Sequence, residues 1–159
     1  KLAVDDTVSI RPRAKGVFVR SPKFQSHFMV STVTGVVPFV GILRDYFYNG
    51  ETGHKFYVIE GASYPGEFGY DDELAKMAAD YPDTVKFVAT ISRPTDEKSK
   101  DWIGETGRAN AVVGKYLKQF NIDPATTLIY ACGHPGMIED VRVEAADKGF
   151  AFIEEKFWV

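Results

Sequence analysis

Four short segments hold the residues whose types and spacing can do chemistry. Ser31-Thr32-Val33-Thr34-Gly35-Val36-Val37-Pro38-Phe39 runs hydroxyls and a glycine into an apolar stretch. At the start of a helix such a turn leaves backbone N–H groups unpaired under a favourable dipole, which suits a phosphate. A capped turn without any ligand uses the same residue types. Gly61-Ala62-Ser63-Tyr64-Pro65-Gly66 joins loop punctuation to a hydroxyl and an aromatic ring. Ser92-Arg93-Pro94 and Gly107-Arg108 bracket a long polar loop. Two arginines beside a serine can grip a phosphomonoester through charge-assisted forks, although surface arginines are also often simply solvated. Cys132-Gly133-His134-Pro135-Gly136-Met137 offers a glycine that lets a ligand ring approach the backbone. Its thiol is a nucleophile, a contact residue or a small buried apolar group. No third group to orient a Cys/His pair is evident, so nucleophilic catalysis is disfavoured.

Other chemistry finds little support. His27, His54 and His134 have no ligand spacing, and the single cysteine, Cys132, cannot make a zinc site or an internal disulfide. The glycine and lysine of 107–115 have the wrong spacing for a P-loop. The chain has 159 residues with a formal net charge of -3, which excludes a global basic field for nucleic acid. No apolar run reaches the roughly 20 residues needed to span a bilayer. A single soluble, cytoplasmic domain is the expectation from length, composition and the absence of a leader pattern.

The elements that must position these segments alternate between strand and helix. Apolar strands are expected at 28–31, 56–59, 85–91, 127–131 and 150–153. Helices are expected over 36–48, from Asp71 or Asp72 to before Pro82, over 109–120 and over 135–148. The implied fold class is α/β, a five-stranded parallel sheet flanked by helices. Ligands of such sheets sit beyond the strand C-termini, and each of the four segments follows a strand. Ahead of Pro22, residues 2–10 and 16–20 read as two further short strands, too few to form a stable sheet alone. The expected division is 1–22, a fragment of another domain, and 23–159.

Together these residues resemble the nicotinamide-dinucleotide domain of the ferredoxin–NADP reductase family, flavoproteins in which a FAD barrel precedes this domain. Thr32 to Phe39 resembles the family's T-G-T-G-[IL]-A-P-F pyrophosphate loop, in which Thr32, Thr34, Gly35, Val36 and Pro38 fall on the pattern. Val33 stands where the family usually has glycine, which demands a backbone that a valine can adopt, and Val37 replaces a small alanine beside the nicotinamide. Ser92-Arg93 and Arg108 resemble its site for the 2'-phosphate of NADPH, with Ser63 on the loop beside them. Cys132, Gly133, Pro135 and Met137 match its C-G-x-P-x-M segment near the nicotinamide. Glu154-Glu155-Lys156-Phe157-Trp158 resembles its E-[KR]-[YF]-W tail, and residues 1–22 resemble the end of the flavin barrel.

The resemblance implies an NAD(P)H-dependent flavoprotein oxidoreductase. Hydride would pass between nicotinamide C4 and flavin N5, and the flavin would exchange electrons with a ferredoxin, a flavodoxin or a fused iron–sulfur domain. It also implies Cys132 and Phe157 at the reacting rings, with Trp158 packing on the adenine side. A hydrophobic clasp closing the fold would also account for Phe157 and Trp158. The barrel's own flavin motif does not occur here, so FAD would be held mainly by the other domain. NADP(H) is the expected dinucleotide. Open alternatives are an NADH-dependent reductase component of an oxygenase, hydrogenase or dehydrogenase, and a dinucleotide-binding module without hydride transfer.

Overall fold

The computed structural model describes residues 3–9, 12 and 18–156 of the chain. Its elements run β1 (Ser26–Thr32), α1 (Val37–Tyr48), β2 (Lys55–Ala62), α2 (Asp71–Asp80), β3 (Val85–Ile91), β4 (Glu105–Thr106), α3 (Ala109–Gln119), β5 (Thr127–Cys132), α4 (Pro135–Asp147) and β6 (Ala151–Glu155). Local chemistry accounts for the helix limits. Asp71, Asp72 and Glu73 place negative charge on the first turn of α2, and the helix ends at Tyr81, before Pro82. Pro135 opens α4, where its missing N–H costs no hydrogen bond. His134 caps the same helix by accepting from the Gly136 N–H at 3.1 Å.

All six strands are parallel, in the order β4-β3-β2-β1-β5-β6. The chain therefore starts mid-sheet, steps outward to one edge, then returns to the other side of β1. Alternate strand residues feed two cores. Phe28, Val30, Ile59, Ile129 and Ala131 pack under α3 and α4. Met29, Val58, Leu128, Tyr130 and Cys132 pack with Phe39, Leu43 and Leu74 of α1 and α2. The strand order reverses between β1 and β5, which opens a crevice at the C-terminal ends of those two strands.

Two expectations change. The sheet has six strands rather than five, because Glu105 and Thr106 pair with Thr90 and Ile91 inside the long loop. Two residues carry no periodic signal. They are held by tertiary contacts: Glu105 accepts from Tyr116 Oη at 2.6 Å and pairs with Lys115, and its carbonyl accepts from Trp102 Nε1 at 2.8 Å. The strands expected over 2–10 and 16–20 are not strands where described. Residues 3–6 form a turn closed by Asp6, and 18–20 are irregular. A strand needs a paired neighbour, and none lies beside them among the described residues.

At the opposite end of the sheet from the crevice lies a buried polar chain. Arg20 can only donate, so its Nη1 gives a proton to His54 Nε2 at 2.9 Å. His54 must then carry its hydrogen on Nδ1, which donates to His27 Nε2 at 3.0 Å. His27 in turn donates from Nδ1 to Tyr130 Oη at 3.2 Å, and that oxygen also accepts from the Ser21 N–H at 3.0 Å. Every link requires neutral imidazoles. Burial, with His54 and Arg20 alongside, pulls His27 down to about 3, and burial likewise lowers His54. Glu60, fully buried on β2, goes the other way: burial pushes it up to about 7, opposed by the Gly69 N–H on its Oε1 at 3.0 Å.

These two shifts have opposite signs in stability. The unfolded chain protonates histidine near 6.5, so the fold loses stability from His27 as pH falls from there toward 3. Glu60 is protonated in the fold up to about 7 but only below roughly 4.5 unfolded, so its contribution is lost as pH rises through that window. Each group changes stability by up to about 1.4 kcal/mol per pH unit, so the two offset each other. Urea unfolding between pH 7 and 5 therefore gives a shallow profile for the parent chain and a steeper acid loss for Glu60→Gln. His27→Gln reverses the trend, gaining stability relative to the parent toward pH 5. Parallel profiles for all three proteins would refute the assignment.

Candidate functional site

The crevice is shaped by two loops that interlock. Thr32, the last residue of β1, accepts the His134 N–H on its Oγ1 at 2.9 Å. Gly35 lies flat on the Cys132–Gly133 peptide, where a Cβ would collide with the Cys132 carbonyl oxygen. Gly133 has φ +130, and a Cβ there would collide with Thr32 Oγ1. Between them Val33 sits at φ 45, a left-handed conformation that is strained for a β-branched residue. The glycine usual at this position in the resembling motif is thus explained by the backbone, and the valine adopts the same turn at a cost.

The outer wall comes from β2, β3 and the long loop. A Cβ on Gly61 would stand 2.8 Å from Ala109 Cβ, so glycine lets the first turn of α3 rest on the end of β2. Ser92 N–H donates to the Ala62 carbonyl at 3.0 Å, and Thr90 Oγ1 donates to the Gly107 carbonyl at 2.8 Å. These bonds bring Ser92, Arg93 and Arg108 to one cleft although fourteen residues of sequence divide the two arginines. Arg93 Nη1 donates to Tyr64 Oη at 2.7 Å, with its guanidinium 5.4 Å over the Tyr64 ring. Lys98 Nζ lies 4.8 Å from the same ring. Glu67 steadies this loop by accepting from the Ser63 N–H at 2.9 Å.

The result is a cleft of about 620 Å³ lined by Thr32, Thr34, Ser63, Ser92, Arg93, Arg108, Gly133 and Met137, all singled out from sequence. It is also lined by residues that sequence reasoning did not assign: Val33, Gly61, Ala109, Asn110, His134 and Asp140 among them. Gly136, Met137 and Asp140 recur at helical spacing on α4, a pattern that the helix expected over 135–148 already carries. The N-termini of α3 and α4 both border the cleft, and Arg93 and Arg108 face a single lining carboxylate, Asp140.

Other expected site residues are not part of that lining. Gly35 and Val36 are buried beneath the first loop, where they shape it, and Val37, Pro38 and Pro135 stand at helix starts outside the cleft. Cys132 is fully buried, its side chain in the core layer shared with α1. Burial, with Glu155 nearby, pushes its thiol up to about 12, so it is protonated at neutral pH and is no nucleophile. Phe157 and Trp158 lie outside the described residues.

A family model described as "Oxidoreductase NAD-binding domain" matches residues 29–143. The chain belongs to that family. The matched span covers β1 through most of α4 and so includes every wall of the cleft. Among curated relatives of this NAD-binding domain, a ferredoxin–NADP reductase from Picosynechococcus sp. is 28% identical over 156 residues, covering 92% of this chain and 38% of the relative. An NADH-cytochrome b5 reductase 1 from Debaryomyces hansenii is also 28% identical, covering 92% of this chain and 50% of that protein. The chain thus spans half or less of these relatives. The fold is shared with a ferredoxin NADP+ reductase from Neisseria gonorrhoeae, solved with bound FAD and NADP, at a TM-score of 0.73 and 22% identity, covering 92% of this chain and 62% of that one.

Two substitutions test the interlock. A left-handed valine costs on the order of 1–3 kcal/mol, and the added flexibility of glycine about 0.5–1 kcal/mol. Val33→Gly is therefore expected to raise stability by roughly 1 kcal/mol in denaturant unfolding. Gly35→Ala is expected to lower it by more than about 2 kcal/mol, because backbone faces the new methyl on one side. A destabilised Val33→Gly would mean that the valine is not strained.

Proposed function

We propose that this chain is the NAD(P)H-binding portion of a flavin-dependent oxidoreductase of the ferredoxin–NADP reductase type, with NADPH preferred over NADH. The observation that carries the reading is the convergence of Thr32 and Thr34, Ser92 and Arg93, Arg108, and Gly133 to Met137 on one cleft at the reversal of strand order. The cleft fits a dinucleotide in size and charge: two helix N-termini border it, and Arg93 and Arg108 stand on its wall.

In this reading the turn at Thr32 to Gly35 holds the pyrophosphate with backbone N–H groups and hydroxyls. Ser92, Arg93 and Arg108 hold the 2'-phosphate by charge-assisted hydrogen bonds. Arg93 leaves its neutral partner Tyr64 Oη for a dianion at little cost, since a phosphate oxygen is the stronger acceptor. The segment from Cys132 to Met137 orients the nicotinamide, with Cys132 acting through its bulk and burial. When bound, the nicotinamide supplies or accepts the hydride and FAD, in the complete protein, is its partner. Residues 1–22 belong on this reading to the flavin barrel, Phe157 covers the flavin and Trp158 packs on the adenine side. The electron partner is a ferredoxin, a flavodoxin or a fused iron–sulfur domain. A cytoplasmic location fits with this, and no described helix is long and apolar enough to cross a membrane.

A second reading, an NADH-dependent reductase component, is favoured by the likeness to an NADH-cytochrome b5 reductase. Coenzyme titration separates the two. Calorimetry of the chain with NADP⁺ and NAD⁺ should give at least about tenfold tighter NADP⁺ binding, since each charged contact is worth on the order of 1.5–3 kcal/mol. Arg93→Ala and Arg108→Ala should each weaken NADP⁺ binding by about tenfold or more and leave NAD⁺ nearly unchanged. Equal effects on both coenzymes would remove the 2'-phosphate assignment.

A further inference from the structure

The cleft contains one carboxylate in a place otherwise suited to anions. Asp140, in the second turn of α4, lines it together with Asn110, the second residue of α3. Asn110 Nδ2 donates to Asp140 Oδ2 at 2.7 Å, joining the two neighbouring helices at the cleft wall. That bond orients both groups. It leaves Asp140 Oδ1 and the Asn110 amide oxygen, two acceptors, without a donor among the described residues. Ala109, next to Asn110, lines the same stretch and offers apolar surface to a planar ring.

A carboxylate beside bound phosphates repels them unless the ligand brings it a proton donor. Asn110 is two residues from Arg108, and its bond to Asp140 places the pair next to the corner assigned to the 2'-phosphate. The group attached there is the adenosine half of the dinucleotide. A ribose hydroxyl has one hydrogen to give, whereas the exocyclic amine of adenine has two, which matches in number the two acceptors left open on the pair. We propose that Asn110 and Asp140 read the exocyclic amine of an aminopurine base and so select adenine dinucleotides over oxopurine ones. The assignment rests on the dinucleotide reading above. It explains why an acidic residue is held in an anion-binding cleft.

The test compares NADP⁺ with two analogues, one with hypoxanthine in place of adenine and one with nicotinic acid in place of nicotinamide. Calorimetry of the parent chain should show NADP⁺ bound about tenfold more tightly than the hypoxanthine analogue, the loss expected for a hydrogen bond to a charged acceptor. Asp140→Ala should weaken NADP⁺ about tenfold and erase that preference, and Asn110→Ala should do the same to a smaller extent. Circular-dichroism melts of both variants, whose changed side chains border solvent, check that they are folded. The proposal is overturned if Asp140→Ala tightens NADP⁺, since the carboxylate would then only repel phosphate. It is also overturned if the variant weakens both purines equally, or if the parent discriminates only against the nicotinic acid analogue. A parent chain that binds NADP⁺ without regard to the purine amine sinks this inference alone. One that binds no dinucleotide sinks the proposed function with it.

Discussion

The crevice depends on one close contact, the backbone of Gly35 laid against the Cys132–Gly133 peptide and pinned by the Thr32–His134 hydrogen bond. Parallel strands bring β1 and β5 together, but their outgoing loops would normally diverge into helices on opposite faces. Because neither Gly35 nor Gly133 carries a Cβ, the loops instead meet over the strand ends and form one surface. The helix N-termini, the hydroxyls of Thr32 and Thr34 and the α4 face all take their places from that surface. Its strain is concentrated at Val33, which tolerates a left-handed backbone because its neighbours on both sides are fixed.

A second constraint is electrostatic. The positively charged wall is assembled from two arginines held on backbone bonds between β2, β3 and the long loop, so their spacing is set by the sheet and not by their own flexible side chains. At the other end of the sheet the imidazole chain from Arg20 to Tyr130 fastens the segment around Ser21 to the core without burying an unpaired donor. Among the described residues, charge in this imidazole chain is confined to Arg20, which pairs with Glu51, and its remaining links are neutral hydrogen bonds. The buried, raised Glu60 lies between the two ends on β2, under the loop that carries Tyr64.

Much of this was legible in the chain. The apolar runs at 85–91 and 127–131, the α3 stripe of Val112, Val113, Tyr116 and Leu117, and the first-turn residues Asp71 and Pro135 each announce their element locally. The phosphate-type segments were recognisable because each follows a strand. β4 was not legible, since two polar residues have no period and pair only because Tyr116, Lys115 and Trp102 converge on Glu105. The strands expected near the start carried a fair alternating pattern but lack a neighbour among the described residues. The meeting of His27 with His54, and of Asn110 with Asp140, joins positions about thirty residues apart, which no short-range pattern reports.

By itself, then, the sequence determined the alternation of strand and helix, the parallel sheet it implies, and the residue types available after each strand. These follow from periodicity, caps and turn chemistry, which act within a few residues. Only the tertiary structure decided which of those residues share a cleft and which are spent holding it open. Thr32, Ser92, Arg93 and Arg108 face the space, Asp140 joins them, and Gly35, Val36 and Cys132 lie beneath or behind it. The reason is geometric: strand order and a collision-free backbone contact, not spacing along the chain, set which side chains meet.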